Sequence, residues 1–222
     1  MKNLRDSLDI IDKDVEELIL RVERSLEIVK DLILKEEFDI RLYGECKLIE
    51  EEADELEVSI DEKVINAIAR YQPAAGDLRY LVKVQEISTD LERISDLCVG
   101  ILKLLKAIVG TENKNITYLD KLSEKVNYIF KLYRLAFVQK NLDNTYLILG
   151  LDEEVDKIRD QCIALAQEKM AEDKNIILSG VNNIIIAQKF ERIADIIENL
   201  AESYIYISKG IDIRHKTLEQ DL

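Results

Sequence analysis

The chain has 222 residues, 47% of them hydrophobic, which is enough apolar material for a sizeable core and argues against disorder. One proline and seven glycines are too few chain breakers for a many-stranded sandwich or barrel, leaving long helices as the expected solution. Against 45 acidic residues stand 31 Lys and Arg, a net charge of −14, so an electrostatic grip on nucleic acid or an anionic bilayer is excluded, whereas cations are attracted.

Cys46, Cys98 and Cys162 are far apart, odd in number and on apolar positions, the pattern of reduced core thiols in a cytoplasmic protein. The N-terminal residues MKNLRDSLDIIDKD show no secretory pattern, and no stretch reaches the roughly 18 uncharged apolar residues of a membrane span. Neither secretion nor membrane insertion is expected.

From Leu4 onward, Leu8, Ile11, Val15, Leu18, Val22, Leu26, Val29 and Ile33 recur at steps of three and four, the stripe of a long amphipathic helix. A second stripe runs through Leu42, Cys46, Ile49, Ala53, Leu56, Ile60, Val64 and Ala67 to Gln72-Pro73-Ala74-Ala75-Gly76-Asp77. Pro73 ends that helix, and Asp77 is placed to cap the next. The third carries Leu78, Leu81, Val84, Ile87, Leu91, Ile94, Cys98, Ile101, Leu105 and Ile108 up to Gly110.

The aperiodic segment Gly110-Thr111-Glu112-Asn113-Lys114-Asn115 is the expected linker. Beyond it, Leu119, Leu122, Val126, Ile129, Tyr133 and Ala136 form a fourth helix. Tyr146, Leu151, Val155, Ile158, Cys162 and Leu165 form a fifth, and Ile177, Val181, Ile184, Phe190, Ile193, Ile197, Leu200 and Tyr204 a sixth. Leu91-Glu92-Arg93-Ile94-Ser95-Asp96 returns as Phe190-Glu191-Arg192-Ile193-Ala194-Asp195, late in the third helix of each half. A repeat near one hundred residues fits an all-α fold of two pseudo-symmetric three-helix bundles packed side by side, residues 1–111 and 112–210, with a polar tail over 211–222.

The repeat carries carboxylates in columns. Residues i and i+4 stack on one helix face, which pairs Glu50 with Asp54, Glu92 with Asp96, Asp152 with Asp156 and Glu191 with Asp195. Glu50, Asp54, Asp152 and Asp156 each follow an apolar stripe position, so they lie at the edge of the buried face. If the second and third helices of a bundle bring their columns together, four carboxylates converge on a site for a hard cation with oxygen ligands. Arg93 and Arg192 are the arginines available to neutralise part of this charge. Solvated helix faces are the alternative, since Glu57 with Asp61 and Glu86 with Asp90 show the same spacing without a repeat; the matched positions in both halves favour the cation site.

The only histidine, His215, lies in the tail, so the Glu-x-x-His pattern of di-iron bundles, a zinc hydrolase site and any His-based triad are absent. Neither G-x-x-x-x-G-K-S/T nor G-x-G-x-x-G occurs. Nothing here points to an enzyme, and Tyr128, Phe130, Tyr133, Phe137 and Tyr146 read as interhelix filling.

Residues 49–96, with the QPxAxDLR turn from Gln72 to Arg79 and the LERxxD that follows, resemble the first repeat of the PhoU family of phosphate-signalling regulators. FERIADIIENLAESYIYISKG, Phe190 to Gly210, is similar to that family's closing pattern, with Glu191, Asp195, Asn199, Glu202, Tyr206 and Gly210 in register. The resemblance implies two three-helix bundles and two E(D)xxxD metal sites, one from Glu50, Asp54, Glu92 and Asp96 and the other from Asp152, Asp156, Glu191 and Asp195. It implies multinuclear clusters, iron foremost, with Mn, Mg, Ca and Zn as other occupants. This chain departs from the family in having Leu97 and Ile196 where histidine often follows the aspartate, and Gly100 where the second repeat has Asn199.

The function so implied is negative regulation of phosphate uptake and starvation signalling, through contact of a cytoplasmic homodimer with the ATPase of the Pst phosphate ABC transporter and with a membrane sensor histidine kinase. The other readings are a metal-buffering helical protein and an accessory subunit of another ion transporter.

Overall fold

Asn3 opens the first helix with a capping box, its side chain accepting from the Asp6 backbone N–H while the Asp6 carboxylate accepts from Asn3 N–H. From there the computed structural model, which describes residues 3–35, 37–108 and 117–211, builds α1 over Leu4–Leu34. The expected stripe from Ile11 to Ile33 is buried, and so are Ile19, Ile28 and Leu32 beside it. The stripe is broadened because α1 is covered from several sides, by α2 (Ile40–Tyr71), α3 (Ala75–Ile108) and α4 (Leu119–Gln139).

Asp39 caps α2 by accepting from the N–H groups of Arg41 and Leu42. At its other end Gln72 turns left-handed, with φ 47°, immediately before Pro73. The expected capping role of Asp77 is not found. Helix α3 already begins at Ala75, which leaves Asp77 in its first turn, where a carboxylate still complements the helix dipole.

The second half differs from expectation in two places. The fifth helix is broken: α5 covers Asp143–Leu149 and α6 covers Asp152–Glu172. At the break Gly150 N–H donates to Leu147 C=O (3.3 Å) and Leu151 N–H to Ile148 C=O (2.9 Å), tightening the ladder to i→i+3 and redirecting the chain. Ile148 is consequently the buried residue, and Tyr146 is exposed.

A short 3₁₀ turn, Lys174–Ile176, leads into α7, Ile177–Lys209. At its start Ile177 and Val181 face outward, while Ser179, Gly180, Asn182 and Asn183 are buried. Asn183 satisfies its amide there, donating to Ser179 C=O (2.8 Å) and accepting from the Thr117 hydroxyl (3.0 Å). Gly180 allows α6 to approach so closely that a Cβ would sit 2.4 Å from Met170 Cγ. A polar inner face closed by its own hydrogen bonds leaves no apolar periodicity to read.

Helices α1, α2 and α3 pack as one bundle and α4, α6 and α7 as the other, joined along α3 against α7 and α1 against α4. One continuous apolar core runs through both. Polar links cross the seam as well: Asn127 on α4 donates to the Leu26 carbonyl of α1 (3.3 Å), and Arg134 pairs with Glu23 (3.1 Å). Cys46, Cys98 and Cys162 are buried free thiols, the first pushed up to about 11 chiefly by its burial. Among the described residues no helix is long and apolar enough to cross a membrane. The expected linker from Gly110 to Asn115, the 111/112 boundary, His215 and the tail from residue 212 lie outside the described residues.

Candidate metal centre

Helices α2 and α3 lie side by side, and their packing brings the two carboxylate columns near each other. Glu92 and Asp54 lie within reach of each other across the helix pair. Burial first, then the negative charges of Asp54, Glu57 and Asp96, push the Glu92 carboxyl up to about 7. Glu50 is raised by burial, Asp54 and Asp96, and lowered by the nearby Lys103 ammonium. Glu50, Asp54, Glu92 and Asp96 therefore form one acidic patch, half-sunk along the α2/α3 groove.

Helices α6 and α7 repeat the arrangement. Asp195 is raised by burial, then by Glu191, Asp152 and Asp156, and Asp152 by burial and Asp156. Here, however, a cation is built in. The Arg159 guanidinium donates from Nη1 to Glu191 Oε1 (2.8 Å), pairs through the same nitrogen with Asp156 Oδ1 (2.7 Å), and reaches Asp160 Oδ1 from Nη2 (2.9 Å). Arg93 does not take that role in the first half: it turns to Asp90 at 3.3 Å. Arg192 is exposed; it and Arg93 line a cavity of about 240 Å³ with Glu92, Asp96, Leu97 and Ile196, where the two repeated motifs face each other across the α3/α7 seam.

Sequence spacing missed three members. Glu57 belongs to the first patch, accepting from the Thr89 hydroxyl at 2.6 Å and facing Glu92, although its pairing with Asp61 reads as a solvated face. Glu198 belongs to the second, its carboxyl pushed up to about 7 by burial, Asp152, Glu202 and Asp195. Arg159 is the third. Each lies three residues beyond a column carboxylate, Asp54, Asp195 and Asp156 respectively, and that i+3 spacing is the signal that finds them.

The first set offers only carboxylate oxygens and suits a hard cation or a small cluster; Glu50, Asp54, Glu57, Glu92 and Asp96 are the residues that can hold it. The second set is part-neutralised by Arg159 and is a poorer fit. As the side chains stand, no three His, Cys, Asp or Glu among the described residues close on a single point. The larger cavity of about 640 Å³, between the starts of α1 and α3 and the ends of α4 and α7, is lined by none of the eight residues singled out from the sequence.

The PhoU domain matches the chain over residues 15–105 and 119–204. The chain belongs to the PhoU family. A phosphate-specific transport system accessory protein PhoU homolog of Clostridium acetobutylicum is 33% identical over 71% of this chain and 73% of its own length. For PhoU homolog 1 of Thermotoga maritima, named likewise, the figures are 30%, 72% and 70%. The crystal structure of PhoU from Pseudomonas aeruginosa has the same fold, with a TM-score of 0.88 over 94% of this chain and all of that one, at 23% identity. Among the described residues, α2 with α3 and α6 with α7 each bring two carboxylate columns together, and of the two pairs the second has a guanidinium bonded between its columns.

Proposed function

We propose that this PhoU-family chain is an accessory regulator of a phosphate transport system. It restrains uptake and starvation signalling by contact with the transporter's ATPase and a membrane sensor kinase, with carboxylate-bound metal as a tuning element. The observation that carries this reading is the PhoU domain match over both halves, together with relatives named as accessory proteins of the phosphate-specific transport system. Long rigid helix faces offer a partner an extended surface, and the acidic patch lies on such a face. The role is non-enzymatic and cytoplasmic, with the chain acting as a homodimer.

A pull-down from cells with the transporter intact tests the contact. Recovery of the ATPase or the kinase, changing with phosphate supply, is expected; absence of both at high and at low phosphate overturns the reading. The five-carboxylate first patch also favours a second reading, metal buffering, which elemental analysis of purified protein separates from the first: bound Fe or Mn without partner capture supports it.

A further inference from the structure

The two carboxylate sets match in spacing and differ in charge. Aligning α2 with α6 by their columns pairs Glu50 with Asp152 and Asp54 with Asp156, and three residues further on it pairs Glu57 with Arg159. A residue at i+3 shares the face of residue i, so both side chains project toward the third helix of their bundle. In the second half that side chain bridges the helices, with one nitrogen between Asp156 Oδ1 and Glu191 Oε1. In the first half it is one more carboxylate, against Glu92.

A divalent ion using the whole second set would compete with Arg159 for Asp156 Oδ1 and Glu191 Oε1. It would also face the fixed positive charge of that guanidinium, and like charges this close repel. The planar guanidinium bonds these oxygens and its neighbours at once and has no proton to release at any ordinary pH. Among the described residues no guanidinium bonds across the first set: Lys103 acts on Glu50, Arg93 pairs with Asp90, and Arg192 shares only the small cavity beside Glu92 and Asp96.

We infer that this chain has a single metal-binding carboxylate set, Glu50, Asp54, Glu57, Glu92 and Asp96, and that in the second half Arg159 stands in place of the ion. This rests on the metal part of the proposed function and departs from the two-site pattern that the family resemblance implies. Asp152, Asp195 and Glu198, which Arg159 does not bond, stay an acidic surface without an ion.

The test strips the full chain with EDTA, reloads it with Mn(II) alone and counts bound metal by elemental analysis and EPR, with circular dichroism confirming that each variant is folded. Asp54→Asn with Glu92→Gln is expected to lower Mn(II) affinity by about tenfold or more. Asp156→Asn with Glu191→Gln, and Asp195→Asn with Glu198→Gln, are expected to keep the full content. Arg159→Glu is expected to open a second population of bound Mn(II), and Glu57→Arg to remove the first. Equal loss from first-half and second-half variants, or a folded Arg159→Glu that gains no metal, overturns the inference while leaving metal binding itself standing. A wild-type chain that retains neither Mn(II) nor Fe(II) overturns the metal reading, and this inference with it.

Discussion

The guanidinium of Arg79 lies over the ring of Tyr206, 5.7 Å from its centroid, and so joins the turn of the first repeat to the end of the last helix. Lys83 reaches the same ring at 5.5 Å. One turn on, Gly210 ends α7 with φ 72°, and a Cβ there would sit 2.8 Å from Arg79 Nη1. Two signature segments far apart in the chain are thus one piece of structure.

Gly210→Ala is expected to cost about 1–2 kcal/mol, because its left-handed φ strains any residue with a Cβ, while the Arg79 guanidinium has to move aside. Gly44→Ala is the control: it lies within α2 with nothing within 4 Å of the added Cβ, so it should gain up to about 1 kcal/mol. Urea denaturation of both variants checks the contrast, and equal effects would contradict it.

The seam between the bundles depends in part on Asn127, buried on α4 and donating to the carbonyls of Leu26 and Ser123. Asn127→Ala removes both bonds and is expected to cost about 1–2 kcal/mol. Hydrogen exchange should show α1 and α4 opening more readily; an unchanged denaturation midpoint would show that the seam is held by apolar packing alone.

The raised carboxyls set a pH dependence in the metal-free chain. Glu92 and Glu198 hold protons up to about 7 in the folded state, against 4.5 for an ordinary glutamate. Between those values the folded chain binds more protons than the unfolded one, so their contribution to stability is full at low pH and is lost as the pH rises through about 7. In EDTA the denaturation midpoint contribution from Glu92 should fall over this window. Glu92→Gln, which mimics the protonated form, should be more stable than wild type at pH 8 and should flatten the profile; a Glu92→Gln chain that is weaker at pH 8 would refute this account.

Removing the built-in cation has the opposite sign. Arg159→Gln leaves Asp156 and Glu191 near each other without compensation and should cost about 0.5–1 kcal/mol in EDTA. Thermal melts with added Mn(II) then report whether the ion restores what the guanidinium supplied.

Helix positions along the chain were legible because apolar spacing of three and four is a local property, and Pro73 and Gly210 mark ends by their own backbone limits. Two local readings failed where a neighbour intervened. The fifth helix breaks at Gly150, where α5 folds back on α4 and α7, and the start of α7 buries asparagines that complete their hydrogen bonds through Thr117 and Ser179. A polar residue satisfied across a helix interface looks, in sequence, like one facing water.

The carboxylate columns divide in the same way. That Glu50 stacks with Asp54 and Glu191 with Asp195 follows from the helical repeat, which needs nothing beyond the sequence. Which charge sits between the columns depends on how far one helix is rotated toward another, and only the packing of α2 on α3 and of α6 on α7 decides that Glu57 faces Glu92 while Arg159 bonds Glu191. The sequence by itself determined the helix stripes, the repeat and the eight columnar acids; the tertiary structure decided which of the two sets has a guanidinium between its columns, because the contact of Arg159 with Glu191 is made between helices.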